Sequence, residues 1–113
     1  MDSVHDFLLI PAGLLLCNSI PHLAAGLRGE VFPTPFAKPR GKGPSSALVN
    51  FYWGAGNLAW GMFILLRTLG RHPFLPLGPV YLGVGALVAG TYLSWHFARA
   101  RQSPTGFTAQ GRP

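Results

Sequence analysis

Asn50, Trp53, Asn57 and Trp60 recur at intervals of three and four residues, so on a helix they form one stripe of two amides and two indoles, with Gly54 and Gly61 beside it. Asn18 and His22 stand four apart and share a helical face in the same way. Such groups can hydrogen-bond across a helix interface, or they can converge on a small polar pocket that takes a ligand. Either way the candidate binding residues are Asn18, His22, Asn50, Trp53, Asn57 and Trp60.

Metal and nucleophile chemistry are poorly supplied. His22 and His96 are weak candidates for a metal or haem, since no HxxxH, CxxCH or carboxylate pair accompanies them, and no cofactor is expected. His5 and His72 fall in polar flanks and are expected to face solvent. Cys17 is the single cysteine, which excludes an intrachain disulfide and reads as a packing residue. The acids are Asp2, Asp6 and Glu30, of which only Glu30 lies on the side that holds His22. The segment Gly41 to Gly43 lacks the strand and helix of a phosphate loop. An enzyme is not the leading expectation; one would have to use His22 with Glu30 on a lipid-like substrate.

The elements that position these residues are strongly apolar. Of 113 residues, 49 % are hydrophobic and 11 % charged, with a mean hydropathy of +0.31. A small soluble domain needs a larger charged surface. Phe7 to Leu27, Ala47 to Leu66 and Pro73 to Trp95 contain no Asp, Glu, Lys or Arg, and each approaches the roughly 20 residues that cross a bilayer as a helix. The expected fold is therefore an all-α integral membrane protein with three transmembrane helices at about 7–27, 47–66 and 74–97. Residues 1–100 would form one domain, interrupted by a basic Pro/Gly-rich loop at 28–46, and 101–113 a disordered tail.

Within that plan the first span carries Pro11 and Pro21, which tend to bend a helix. Its leader has Asp2 and Asp6 but no Lys or Arg, unlike a secretory signal, so it reads as a permanent helix. The loop, with Pro33, Pro35, Pro39 and Pro44, reads as extended and partly polyproline, Phe32 and Phe36 dipping into the interface and Ser45 and Ser46 offering N-caps. Antiparallel packing of spans one and two brings Asn18 and Asn57 to the same depth and His22 level with Trp53. The short link at 70–73 predicts a hairpin of spans two and three. Gly85 with Ala89, and Ala86 with Gly90, place small residues on one side of span three, and Ala55 and Ala59 do so on span two. Contact with another subunit, in a homo-oligomer or a larger membrane complex, is expected there.

Charge sets orientation and partners. Arg28, Lys38, Arg40 and Lys42 in the loop share a side with Arg99, Arg101 and Arg112, against Arg67 and Arg71 opposite. The positive-inside rule puts the N-terminus outside and the C-terminus in the cytoplasm, in a membrane of the bacterial inner type. The net charge of +6 then suits anionic lipid headgroups rather than nucleic acid. The expected function is that of a binding or accessory component of the membrane. The alternatives are a small-solute or proton-linked transporter working as an oligomer, and the lipid-directed enzyme above.

Overall fold

A computed structural model of the chain describes residues 6–71 and 76–102. The expectations for His5, His72 and residues 103–113 lie outside the described residues. The architecture is all-α, with helices α1 (Leu9–Leu27), α2 (Ala47–Arg71) and α3 (Gly78–Gln102) and no strand among the described residues. α1 is long and apolar enough to cross a membrane, a property shared by signal sequences and by core helices of soluble proteins. By the same test of length and composition, α2 and α3 do not qualify.

The helix ends depart from the apolar runs. α2 continues past Leu66 to Arg71, and α3 past Phe97 to Gln102, because Leu, Arg and Ala sustain a helix after hydrophobicity has ended. Arg101 and Gln102, placed in the tail by composition, are thus helical. α3 starts at Gly78 rather than near 74, with Pro79 in its first turn, where a missing N–H costs nothing. α1 runs on as one helix through Pro21. It ends as Arg28 N–H donates to Ala24 and Ala25 carbonyls and Gly29, at φ +72°, turns the chain away.

α1 lies between the other two helices, and α2 and α3 form no comparable face with each other. The expected hairpin of spans two and three is therefore antiparallel in direction without being a packed pair. Against α2, Gly54 meets Leu23 and Ser19 while Gly61 meets Leu16 and Ala12, an antiparallel register. Against α3, a Cβ at Gly85 would fall on the Ile10 carbonyl and one at Gly13 on the Leu82 carbonyl, while further along Cys17 meets Gly90 and His22 meets Phe97, a parallel register at backbone contact. The Gly85 and Ala89 face is consequently spent inside the chain rather than on a neighbouring subunit.

Besides one apolar cluster, in which Ile64, Leu65, Tyr81 and Leu82 pack on the buried Leu9 and Ala12, small and polar residues fill the interior. Gly, Ala, Ser, Asn and His occupy the helix contacts, whereas Ile20, Leu48, Tyr52, Phe63, Leu66, Val80, Leu87 and Trp95 point outward.

Residues 28–46 are not an extended linker. Phe32 and Ser45 pair as an antiparallel bridge, their backbones exchanging N–H···O bonds of 3.1 and 3.0 Å. The Thr34 carbonyl accepts from Ala37 N (3.0 Å) and Gly41 N (2.9 Å), and Pro33, Thr34 and Ala37 are buried. Ser46 caps α2 by accepting from Val49 N at 3.1 Å, whereas Ser45 is drawn into a 2.7 Å bond with Thr34 Oγ1. Backbone groups that four prolines withhold from a helix are thus satisfied locally, and the segment closes over one end of the bundle.

Candidate functional site

Two chains of hydrogen bonds run inward from backbone carbonyls, and their polarity can be derived. Asn57 Nδ2 donates to the Trp53 carbonyl at 2.8 Å, so its Oδ1 must be the atom that accepts from Asn18 Nδ2 at 3.0 Å. Asn50 Nδ2 donates to the carbonyls of Phe32, Ser45 and Ser46 at 2.9, 3.2 and 3.0 Å. Three acceptors leave no choice of amide orientation, so Asn50 Oδ1 faces His22 Nδ1 at 2.7 Å. The oxygen can only accept; His22 therefore carries a proton on Nδ1, and in the neutral form of the ring Nε2 keeps a lone pair. The His96 Nε2 lies 2.6 Å from the Gly41 carbonyl, which can only accept, so Nε2 is the donor.

These groups surround a cavity of about 150 Å³. α1 contributes Asn18 and His22, α2 contributes Trp53, α3 contributes Tyr92, Leu93, His96 and Phe97, and the loop roofs it with Pro33, Thr34, Pro35 and Gly41. Aromatic rings crowd the imidazole, with centroids at 5.5 Å for Phe32, 6.1 Å for Phe97 and 6.4 Å for Trp53, all nearly edge-on. His96 stacks on Tyr92 at 5.7 Å, 13° from parallel. Among the described residues, no Asp, Glu, Lys or Arg lines the cavity. The Trp53 Nε1 donor is buried without an acceptor among the described residues.

Of the residues singled out by spacing, Asn18 pairs with Asn57, and His22 with Asn50, inside the bundle. His22 lies beside Trp53, yet its hydrogen bond goes to Asn50, one turn nearer the start of α2. Trp60 is 60 % exposed and turns outward, lining with Trp53, Asn57, Leu15 and Gly56 an open depression on the far side of Trp53 from the first cavity. Gly61, one position on, takes the inward place, because α1 approaches too closely there for an indole. His22 and His96 do line one cavity, but among the described residues no three His, Cys, Asp or Glu side chains cluster as metal ligands usually do. Glu30 is not turned to His22. It holds Arg28 through a fork of 3.0 and 2.9 Å.

The contributions of Thr34, Ser45, Tyr92 and Phe97 are not apparent from spacing. The one local hint is a threonine between two prolines, a β-region position whose hydroxyl is free to bond backbone: Thr34 Oγ1 accepts from Phe36 N at 3.1 Å. Comparison of the chain with family models, curated proteins and solved structures finds no match.

Proposed function

We propose that the chain is a small integral membrane protein whose three helices cross the bilayer, and that it serves as a binding or accessory component through the cavity beneath its loop. The observation that carries this reading is the burial of polar side chains behind an apolar exterior. His22 is 2 % exposed and Asn50 0 %, whereas Ile20 is 64 % and Leu87 72 % exposed. In water that arrangement forfeits hydrophobic stabilisation on nearly every outer side chain. In lipid the outer apolar groups are solvated, and it is the polar ones that must find partners inside. α1 supports the same conclusion, since only 33 % of its apolar window is buried although it is the middle helix of the three.

The loop-and-α3 end holds Lys38, Arg40, Lys42, Arg99 and Arg101. This end suits a cytoplasmic surface of anionic headgroups, with the N-terminus outside. Self-assembly, or docking into a larger complex, would use outward faces near Gly56 or Gly83, where added side chains meet open space.

The test is topological and chemical. In a Cys17→Ala background the protein should resist alkaline extraction from membranes, with Arg71→Cys labelled by an impermeant maleimide on intact cells and Lys42→Cys only after lysis. Recovery in the soluble fraction would refute the membrane reading, and reversed labelling the orientation alone. For the cavity, native mass spectrometry should find a small molecule that co-purifies with the wild type and is missing from Leu93→Trp, in which an indole fills the space.

A further inference from the structure

We infer that the cavity, on the reading above that it binds a ligand, takes a neutral molecule with a hydroxylated aromatic head, a phenol or hydroquinone, whose O–H groups donate to Asn18 Oδ1 and His22 Nε2. The argument begins from the direction of the two hydrogen-bond chains. Each starts on backbone carbonyls, which can only accept, and each passes one donor inward. Although Asn18 also keeps a second Nδ2–H, each chain leaves one acceptor unused: Asn18 Oδ1 in one, His22 Nε2 in the other. Neither atom has a hydrogen-bond partner among the described residues, and both side chains line the same cavity. They stand four apart on α1, about 6 Å along its axis, close to the span of one substituted ring.

Ligand class follows from complementarity. Acceptors select donors: a carboxylate, a phosphate or a carbonyl-only molecule could accept from Asn18 Nδ2 or Trp53 Nε1 but would leave Asn18 Oδ1 and His22 Nε2 without a proton. A cation could bind acceptors and rings, but among the described residues no acidic side chain lines the cavity to offset its charge, and Lys38, Arg40 and Lys42 stand in the roof segment. A hydroxyl meets both requirements of the wall: its proton satisfies His22 Nε2, and its oxygen can accept from the unpartnered indole of Trp53. The volume decides the rest. About 150 Å³ is far more than one water fills and is the size that houses a benzene ring, and Trp53, Tyr92 and Phe97 offer edges and faces to pack it.

The probes are 4-fluorophenol, 4-fluoroanisole and 4-fluorobenzaldehyde, which share a ring but differ in donating ability. They are titrated by fluorine NMR into the full chain in lipid nanodiscs, with empty nanodiscs as the blank for partitioning. The expected result is saturable binding of 4-fluorophenol, displaced by hydroquinone and roughly tenfold or more tighter than the other two, the worth of one buried hydrogen bond. His22→Phe removes one lone pair and Asn18→Leu the other. Because 4-fluorophenol has one O–H, the variant that removes the acceptor it uses should shrink the preference to about twofold, and the other variant should weaken displacement by hydroquinone, whose two O–H groups need both. Two folded variants that each keep the full preference and the full displacement overturn the inference. Equal binding of all three probes overturns the hydroxyl inference and leaves the cavity as a binding site. No binding above the blank in folded protein means that the cavity holds water only, and overturns both. Zinc that binds through His22 and His96 together and blocks 4-fluorophenol overturns the inference in favour of a metal site.

Discussion

Replacing Asn50 by leucine keeps the side-chain size and removes four hydrogen bonds at once, to His22 Nδ1 and to the carbonyls of Phe32, Ser45 and Ser46. The carbonyls are not abandoned, since they also accept from Ser45 N, Phe32 N and Asn50 N respectively. Losing the two Nδ2 protons there should cost about 1 kcal/mol for each. His22 fares worse. Its Nδ1–H, within a ring that is 2 % exposed, is left without an acceptor, a penalty of about 1–3 kcal/mol. Asn50→Leu should therefore destabilise by roughly 3–5 kcal/mol. Chemical unfolding in detergent, followed by tryptophan emission, would measure this. Hydrogen exchange at 32–46 should rise in parallel, because the same side chain ties the loop to α2. Adding His22→Leu removes the orphaned donor, so the double variant should be about 1–3 kcal/mol more stable than the sum of the two single changes. Asn50→Leu within about 0.5 kcal/mol of wild type, with unchanged exchange in the loop, would refute the claim that Asn50 joins roof and floor.

The amides of Asn18 and Asn57 should behave as a second such pair, with Asn18→Leu and Asn57→Leu non-additive by about 0.6–2 kcal/mol in an unfolding cycle, and strict additivity counting against the 3.0 Å contact. Gly85→Ala places a methyl on the Ile10 carbonyl and should separate α1 from α3, lowering the melting temperature sharply, whereas Gly70→Ala points into open space and should be neutral or stabilising by up to about 1 kcal/mol. Trp60→Leu should leave stability within about 0.5 kcal/mol, as expected of an outward side chain, while Trp53→Leu should not; equal losses would restore Trp60 to the interior stripe.

The three helices are legible because apolar runs of helical length, bounded by prolines and glycines, leave the chain little alternative. The pairing of Asn18 with Asn57 is legible for a geometric reason: the sequence separation and an antiparallel crossing put both at one depth. Trp60 misleads because residues 60 and 61 differ by about 100° around the helix, and hydropathy does not weigh glycine as an interior residue. Only the close approach of α1 decides that Gly61 faces in. The roof is hidden for another reason. It is built from side chain to backbone bonds, such as Asn50 to Phe32 across 18 positions and His96 to Gly41 across 55, and such bonds leave no periodicity. The share of α3 in the cavity is likewise set by its parallel register on α1, to which Gly85 contributes a missing side chain and no pattern of its own.

The central position of α1 also governs how the molecule distributes mechanical and mutational stress. With α2 and α3 each seated on α1 and not on each other, a disturbance in one outer helix has two routes to the other: through the shared helix, or through the strap in which Gly41 holds His96. Damage on the outer surfaces of α2 and α3 should therefore accumulate as independent losses, the behaviour of sites with no common partner. Damage to α1 or to the strap should register in both helices together, so tolerance to substitution is expected to fall steeply from the rim of the bundle to its middle.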